Sequence, residues 1–543
     1  MRILGVYIGG HDTNISIYNS EKETFEYLKL ERITAHKHAK VELPNMPFEF
    51  KEKIDIIVYS DGERNMLGKC KNEHELYKKL PDNMYYNNVK NELKKAFNCS
   101  ASEFYYVDHH FAHVLSCWPI IETKKQDYGV VIDGRGDQQD RISIFKNPHD
   151  IIDSKFLKEG ILTKPENILY KSQNFDAPSI LRNIGRLMDL EGDALDIPGK
   201  IMGAHAYGNL NQEFIDHFLQ EIHPSDEYFK FTSEAIMDEF TDSLKLDKFC
   251  SKPYNLDNKE FVDLLASSHH IVGEIIKQIF QKHCPKDSTI TYSGGVAQNT
   301  VWNEILYNNF NNLYIPPHCY DGGLSLGLIE FARILLDFPL PNPPKNMTFP
   351  YIQHDAIDKH PDDKTLDKVV DLLAEGKIVA WFQGRGEAGP RALGNRSILM
   401  HPGIKNGKDI INSRVKNREY WRPFAPSVLE EYAHEWFEID KPSPYMLRAV
   451  KAKKEKSDKI KSVVHDDYTS RIQTVNIQQN PLFHLLLTKF YEKTGIPLLL
   501  NTSLNAGGSP IMAHVQQVEK FFKDPKVDID AACVGDKLFE DKK

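Results

Sequence analysis

The sequence predicts a mixed α/β chain of two domains, the first of them internally duplicated, and three stretches predict it. Residues 3–8 read as a buried strand, Gly9-Gly10-His11-Asp12 interrupt it, and residues 14–18 alternate like a returning strand. Residues 128–132 repeat that plan, with Asp133-Gly134-Arg135-Gly136-Asp137 as the turn and residues 141–145 as the return. Two units of one design point to a duplication; the ordinary alternative is a pair of unrelated hairpins, because Asp-Gly turns are common. The third stretch, Phe338-Pro339-Leu340-Pro341-Asn342-Pro343-Pro344, has the composition of a stiff linker and divides residues 1–345 from 346–543. A chain of 543 residues needs more than one core in any case.

Taken in order, residues 20–100 mix helix and strand without evident chemistry. His109, His110, Phe111, Ala112 and His113 follow Val107-Asp108, and residues 115–120 continue them as an apolar helix. Gly199-Lys200-Ile201-Met202-Gly203 and Tyr207-Gly208 read as a glycine-rich loop, where Lys200 and Gly203 could meet a phosphate. Residues 259–283 are helical in period. Residues 288–292 read as a strand ending in Ser293-Gly294-Gly295-Val296-Ala297, with Gln298-Asn299 opening a helix. Gly294, Gly295 and Asn299 then suit a nucleotide phosphate or ribose, or else a tight strand-to-helix joint. His318-Cys319-Tyr320-Asp321-Gly322-Gly323 opens a helix at Leu324.

Beyond the linker, residues 366–375 read as helix and residues 377–382 as a strand. The strand enters a stretch, residues 383–397, with three arginines (Arg385, Arg391, Arg396) and four glycines that leave backbone open. Lys416, Arg418, Arg422 and Arg471 follow, and Asn501-Thr502-Ser503 ends the apolar run 496–500 at the mouth of a strand. Arginines on a surface are usually solvated. Packed among Gly, Pro and aromatics they suit bidentate recognition of phosphate or carboxylate.

Net charge is −9, and the densest basic stretch, residues 451–461, is interleaved with acids. That excludes a nucleic-acid footprint, which needs clustered Lys and Arg. Seven scattered cysteines, never spaced Cys-x-x-Cys, exclude a disulfide framework and a cysteine zinc site. The N-terminal apolar run reaches glycines and His11 too soon for a signal peptide, and no apolar run approaches a membrane span. The expectation is a cytoplasmic protein with no nucleic-acid or membrane partner and an open oligomeric state.

On a helix His109 and His113 share one face, whereas His110 points about 100° away. A histidine pair on an apolar helix is ordinarily packing. Here Asp133 and Asp321 sit in glycine turns downstream, and two histidines with two loop aspartates make a hard-to-borderline metal site.

Together these motifs resemble the O-carbamoyltransferases that modify antibiotics and nodulation factors, over nearly the whole chain. The residues that carry the likeness are His109 to His113, Asp133 to Gly136, Gly199 to Gly203, Ser293 to Ala297, Arg385 to Ser397, Arg422 to Pro426 and Asn501 to Asn505. The resemblance implies an actin-like duplicated N-terminal domain and a smaller C-terminal domain like threonylcarbamoyl-adenylate synthase, with a twisted, largely open sheet. It implies ATP and carbamoyl phosphate as co-substrates, a carbamoyl-adenylate intermediate, and a hydroxyl on a small secondary metabolite or sugar as acceptor. It assigns His109, His113, Asp133 and Asp321 to one divalent metal, iron(II) favoured over magnesium, manganese or zinc. His11 would sit at the acceptor hydroxyl with the near-neutral pKa of a free imidazole. Arg391, Lys416, Arg422, Arg471, Asn501 and Ser503 would line the carbamoyl phosphate and adenylate site. An actin-like metabolite kinase and a tRNA-modifying enzyme are the rival readings.

Overall fold

A computed structural model describes residues 1–9, 11–39, 53–62, 76–82, 84–121, 125–137, 139–153, 164–173, 175–222, 246–337 and 348–540. The predicted linker and the boundary at residue 345 lie outside them, as does Gly10.

Three sheets are present among the described residues. The first is built on β1 (Arg2–Ile8), β2 (Asn14–Asn19), β3 (Thr24–Lys29), β4 (Ile56–Asp61), β5 (Tyr77–Lys79) and β6 (Glu103–Val107). β2 pairs antiparallel with β1 and with β3, whereas β4 runs parallel to β1 and β6 parallel to β4. The second sheet comprises β7 (Tyr128–Ile132), β8 (Ile142–Lys146), β9 (Ile168–Ser172), β10 (Thr289–Ser293) and β11 (Asn312–Tyr314). Its pairing has the same signs in the same order: β8 antiparallel to β7 and β9, β10 parallel to β7, β11 parallel to β10. The order β3-β2-β1-β4-β6 in the first sheet and β9-β8-β7-β10-β11 in the second repeat one plan, which is the duplicated actin-like arrangement, with β5 added at the edge of the first. The helices His109–Leu115 and Leu324–Leu335 pack on each other, the first against β7 and the second against β1 and β2. Both are buried nearly all round because they lie between the sheets. A Cβ on Gly327 would stand 2.0 Å from the Ala112 carbonyl, so the pair can approach this closely only with glycine there.

The rest of the chain supplies β12 (Tyr351–Ile357), β13 (Val379–Phe382), β14 (Gly384–Glu387), β15 (Arg396–Met400), β16 (Ala425–Leu429), β17 (Arg448–Lys451), β18 (Thr469–Val475), β19 (Leu498–Ser503), β20 (Ala531–Val534) and β21 (Lys537–Phe539). Eight of them form a mixed open sheet in the order β17-β18-β16-β19-β15-β13-β20-β21. The other two extend the first sheet: β12 lies parallel to β3, pairing Gln353 with Tyr27, and β14 lies antiparallel to β12.

Two local expectations fail. The helix of His109 stops at Leu115, and a separate turn, Trp118–Ile121, follows. Pro119 lacks a backbone N–H, and its ring would clash with the carbonyl four residues back, at Leu115. The segment around Lys200 is a helix, Ile197–Ala204, instead of a loop. Pro198 at its start is pre-set for helix, and Ile197, Ile201 and Ala204 bury one face. The six described cysteines are free thiols. No helix among the described residues is long and apolar enough to cross a membrane.

Candidate active site

Asp108 caps the helix His109–Leu115 by accepting from the Phe111 N–H at 2.9 Å, and the four-residue spacing then puts His109 and His113 on one face. Asp133 follows β7, and Asp321 opens the turn before the helix Leu324–Leu335. His109 Nε2 lies 3.1 Å from Asp133 Oδ2 and 3.5 Å from Asp321 Oδ1, and His113 Nε2 lies 3.5 and 3.3 Å from the same oxygens. The four donor atoms fall within 4.8 Å of one another. Bonds of about 2.1 Å to a common ion put its donors roughly 3.0–3.4 Å apart, so these residues fit one divalent ion. His113 Nε2 is buried and has no hydrogen-bond partner that would compete with an ion for it. His110 turns away, as its helical position predicts, and its Nδ1 meets Ser143 Oγ at 2.7 Å.

The remaining carboxylate oxygens are held from behind. Tyr7 donates its hydroxyl to Asp321 Oδ2 at 2.6 Å, and the Gly295 N–H donates to Asp133 Oδ1 at 2.7 Å. Each aspartate therefore presents its other oxygen to the histidines. Burial opposes charge on all four groups, but their mutual attraction is larger. The histidines hold both carboxyls below the usual carboxylate range, and the carboxylates push both imidazoles up.

The paired glycines thus serve this corner. Gly294 has φ +94°, and a Cβ on it would stand 2.2 Å from the Ile132 carbonyl at the end of β7. That close approach puts the Gly295 N–H on Asp133. Gly294→Ala is expected to cost about 2–4 kcal/mol of unfolding free energy. An unchanged urea midpoint would count against this account. Asn299 also serves the fold: its oxygen accepts from the Val301 and Trp302 N–H groups, both at 3.2 Å, and its amide meets His269 Nε2 at 3.0 Å.

His11 stands beside the corner, its Nδ1 2.9 Å from Asp12 Oδ2 and 3.8 Å from Asp321 Oδ2. Burial alone would lower its pKa, but Asp12, Asp321 and Asp133 together push it up to about 9. This departs from the near-neutral value expected of a free imidazole, because three carboxylates gather around the ring. Asp12 is a hub that the sequence reading did not single out. It sits at φ +58°, meets His38 Nδ1 at 3.2 Å, and pairs with buried Lys29 at 3.0 Å. Lys29 does leave a signal: it shares the inward face of β3 with Phe25 and Tyr27, where a charge needs a partner. Asn14 links the two turns by donating to the Asp12 and Asp321 carbonyls, each at 2.8 Å.

A second cluster belongs to the C-terminal sheet. Arg471 lies on β18, Asn501 and Ser503 on β19, and Arg391, Lys416, Arg418 and Arg422 on the connections around them. Burial and mutual repulsion push Arg391, Lys416 and Arg471 down, and Arg418 down to about 9. The Nε atoms of Arg391, Arg418 and Arg471 are buried without hydrogen bonds. Among the described residues the carboxylate paired with this cluster is Glu419, 3.4 Å from Arg422 and 2.5 Å from Lys200. So much like charge held together calls for an anionic ligand. Lys416 is fixed by the Ser503 and Asn505 oxygens, and Asn501 donates to Ser427 Oγ at 2.8 Å. Of the three arginines in residues 383–397, Arg391 alone faces this space. Arg396 is buried on Asp355 at 2.7 Å and stacked on Phe382, and Arg385 donates to the Gln353 carbonyl at 3.1 Å. Lys200, paired to Glu419, carries a charge already balanced, and Gly203 lets its helix pack on Pro423, 3.1 Å from where a Cβ would be.

One cavity of about 790 Å³ is lined by both clusters, including His11, His109, Asp133, Asp321, Arg391, Lys416, Arg422, Arg471, Asn501 and Ser503.

Residues 68–328 match the family described as Carbamoyltransferase N-terminus, and residues 370–540 match Carbamoyltransferase C-terminus. Nodulation protein NolO of Bradyrhizobium diazoefficiens is 33% identical over 294 residues, 50% of this chain and 53% of that protein. Nodulation protein U of Sinorhizobium fredii is 30% identical over 328 residues, 58% of this chain and 59% of that protein. An uncharacterized protein of Methanocaldococcus jannaschii is 29% identical over 537 residues, 93% of this chain and 83% of that protein. The chain spans little more than half the length of the two nodulation proteins.

Proposed function

Because the chain belongs to the carbamoyltransferase family, we propose that it moves a carbamoyl group from carbamoyl phosphate, through a carbamoyl-adenylate made with ATP, to the hydroxyl of a small-molecule acceptor. The observation that supports this most is the single cavity shared by the cation cluster and the four-donor corner. Arg391, Arg418, Arg422 and Arg471 bind the phosphates. Water hydrolyses carbamoyl phosphate to carbamate and inorganic phosphate; when the carbamate oxygen attacks the α-phosphorus of ATP, charge gathers on the departing pyrophosphate, and these fixed guanidinium groups with Lys416 offset it. Carbamate itself is a poor electrophile, and attachment to AMP gives it a leaving group.

Within the shared cavity the adenylate then reaches the acceptor without crossing bulk water. His109, His113, Asp133 and Asp321 would hold a divalent cation, iron(II) by family resemblance, and that ion would polarise the carbamoyl oxygen and offset the negative charge that raises His11. His11, next to that corner, takes the proton of the acceptor hydroxyl as the alcohol attacks the carbamoyl carbon.

The test follows products from carbamoyl phosphate, ATP and a hydroxylated metabolite mixture by ³¹P NMR. Pyrophosphate and AMP are expected, with a carbamoyl ester found by mass spectrometry. ADP as the nucleotide product would make the chain a kinase of this fold and overturn the proposal.

A further inference from the structure

The cavity carries a second basic patch, next to the four-donor corner and separate from the cation cluster of the C-terminal sheet. Arg135 lies in the turn after β7, two positions from Asp133; Arg141 lies just before β8; Arg182 lies on the helix Ala177–Leu187. All three line the cavity. Arg135, Arg141 and Arg182 sit on elements next to β7, β8 and β9, whereas Arg391, Arg418, Arg422 and Arg471 sit on and around the C-terminal sheet. The two patches are thus distinct, with the corner of Asp133 beside the first.

This patch is built by the fold. Asp176 caps the helix Ala177–Leu187 by accepting from the Ser179 N–H at 3.1 Å, and its other oxygen pairs with Arg141 at 3.0 Å. Arg182 donates from Nη2 to Ser179 Oγ at 2.6 Å, while its Nε is buried and makes no hydrogen bond. Burial pushes Arg182 down; Asp176 opposes this, while Arg186 and Arg135 add to it, so an added negative charge beside Arg182 is stabilised. Lys37 pairs with Asp196, Lys200 with Glu419 and Arg141 with Asp176, so Arg182, with its open Nε, is the cation of this wall that keeps a donor for a ligand. A cationic acceptor such as an aminosugar would meet Arg141 and Arg182 as like charges. A carboxylate or phosphate would meet opposite charge and, at Arg182, the planar guanidinium fork that suits it.

Resting on the carbamoyl-transfer reading, we propose that the acceptor is an anionic hydroxy compound, its carboxylate or phosphate held by Arg182 with Arg141 and Arg135 adding to the field. Arg135 is two residues from Asp133, so the hydroxyl to be carbamoylated lies within one small molecule's length of that anionic group. Nothing in the transfer alters the charge of the acceptor: the hydroxyl proton leaves, the carbamoyl group takes its place, and AMP departs.

The test uses the whole protein, ¹³C-labelled carbamoyl phosphate, ATP and a small-molecule extract of the source cells, split on an anion exchanger into bound and unbound fractions. New carbamoylated species are sought by mass spectrometry. Label should enter the bound fraction. Arg182→Glu should lower it about tenfold or more, and Arg182→Lys, which keeps the charge but not the planar fork, should restore part of it. Label confined to the unbound fraction, or labelling of the bound fraction indifferent to Arg182→Glu, overturns the proposal. So does label in neither fraction while carbamoyl-phosphate-dependent pyrophosphate release proceeds, an outcome that leaves adenylation standing. Absence of that release overturns the carbamoyl-transfer reading beneath it.

Discussion

Replacing His113 with alanine should empty the four-donor corner and lower carbamoyl transfer by at least ~10²-fold. Loss of an outer partner of a ligand typically costs 10–100-fold, and loss of a ligand cannot cost less. His113 Nε2 contributes two of the four short donor separations, 3.5 Å to Asp133 and 3.3 Å to Asp321. Without it two buried carboxylates face one imidazole. Elemental analysis of wild type, His113→Ala and the double variant His109→Ala/His113→Ala checks the first half. Equal metal in all three would dismiss the site. Carbamoyl-phosphate-dependent pyrophosphate release checks the second half and should persist in His113→Ala, because none of the residues assigned to phosphate binding belongs to this corner. Equal loss of both activities, with ATP binding retained, would mean that the two steps share one set of groups.

Arg471→Ala should do the reverse and abolish pyrophosphate release, by about 10²–10³-fold, the usual size of losing a preorganised charge from a developing anion. It also carries a stability signature. Arg471 is pushed down by burial and by Arg391, Arg418 and Arg422, so the folded apo-protein works against its charge. Its removal relieves repulsion, and the thermal midpoint should hold or rise while activity falls. The signs separate a ligand-binding arginine from a structural one. Arg396, paired with Asp355 and stacked on Phe382, would lose stability first. A fall in midpoint for Arg471→Ala with normal pyrophosphate release would place Arg471 in the scaffold.

These contrasts show what the sequence can and cannot reveal. The duplication is legible because strand periodicity and an acidic glycine turn are local, and β1–β2 and β7–β8 are hairpins of neighbouring residues. The pairing of His109 with His113 is legible for the same reason, since one helical turn sets it. Which of Arg385, Arg391 and Arg396 faces the cavity is not legible. It depends on Asp355 and the Gln353 carbonyl, on a strand that composition alone does not tie to them. Lys200 does line the cavity, but its pairing with Glu419, from the other half of the chain, is not legible either. The glycines at 294 and 295 are recognisable as special, but their use on Asp133 depends on a parallel neighbour, β7, distant in sequence. Asp12 and Lys29 went unremarked because their partnership crosses from a turn to the end of β3.

One feature of the first sheet bears on how the protein is made. β3 is flanked by β12, and β12 by β14, whose last residue is Glu387. During synthesis the N-terminal portion emerges first and begins to fold, at roughly 5–20 residues per second. Until β12 has left the ribosome, the unpaired side of β3 is an open edge of the kind that templates pairing with another chain. The nascent chain therefore passes through an interval in which its first sheet is nearly complete and self-adhesive, and later translation closes it. A ribosome stalled in the proline-rich stretch 338–344 would hold the chain in that exposed state.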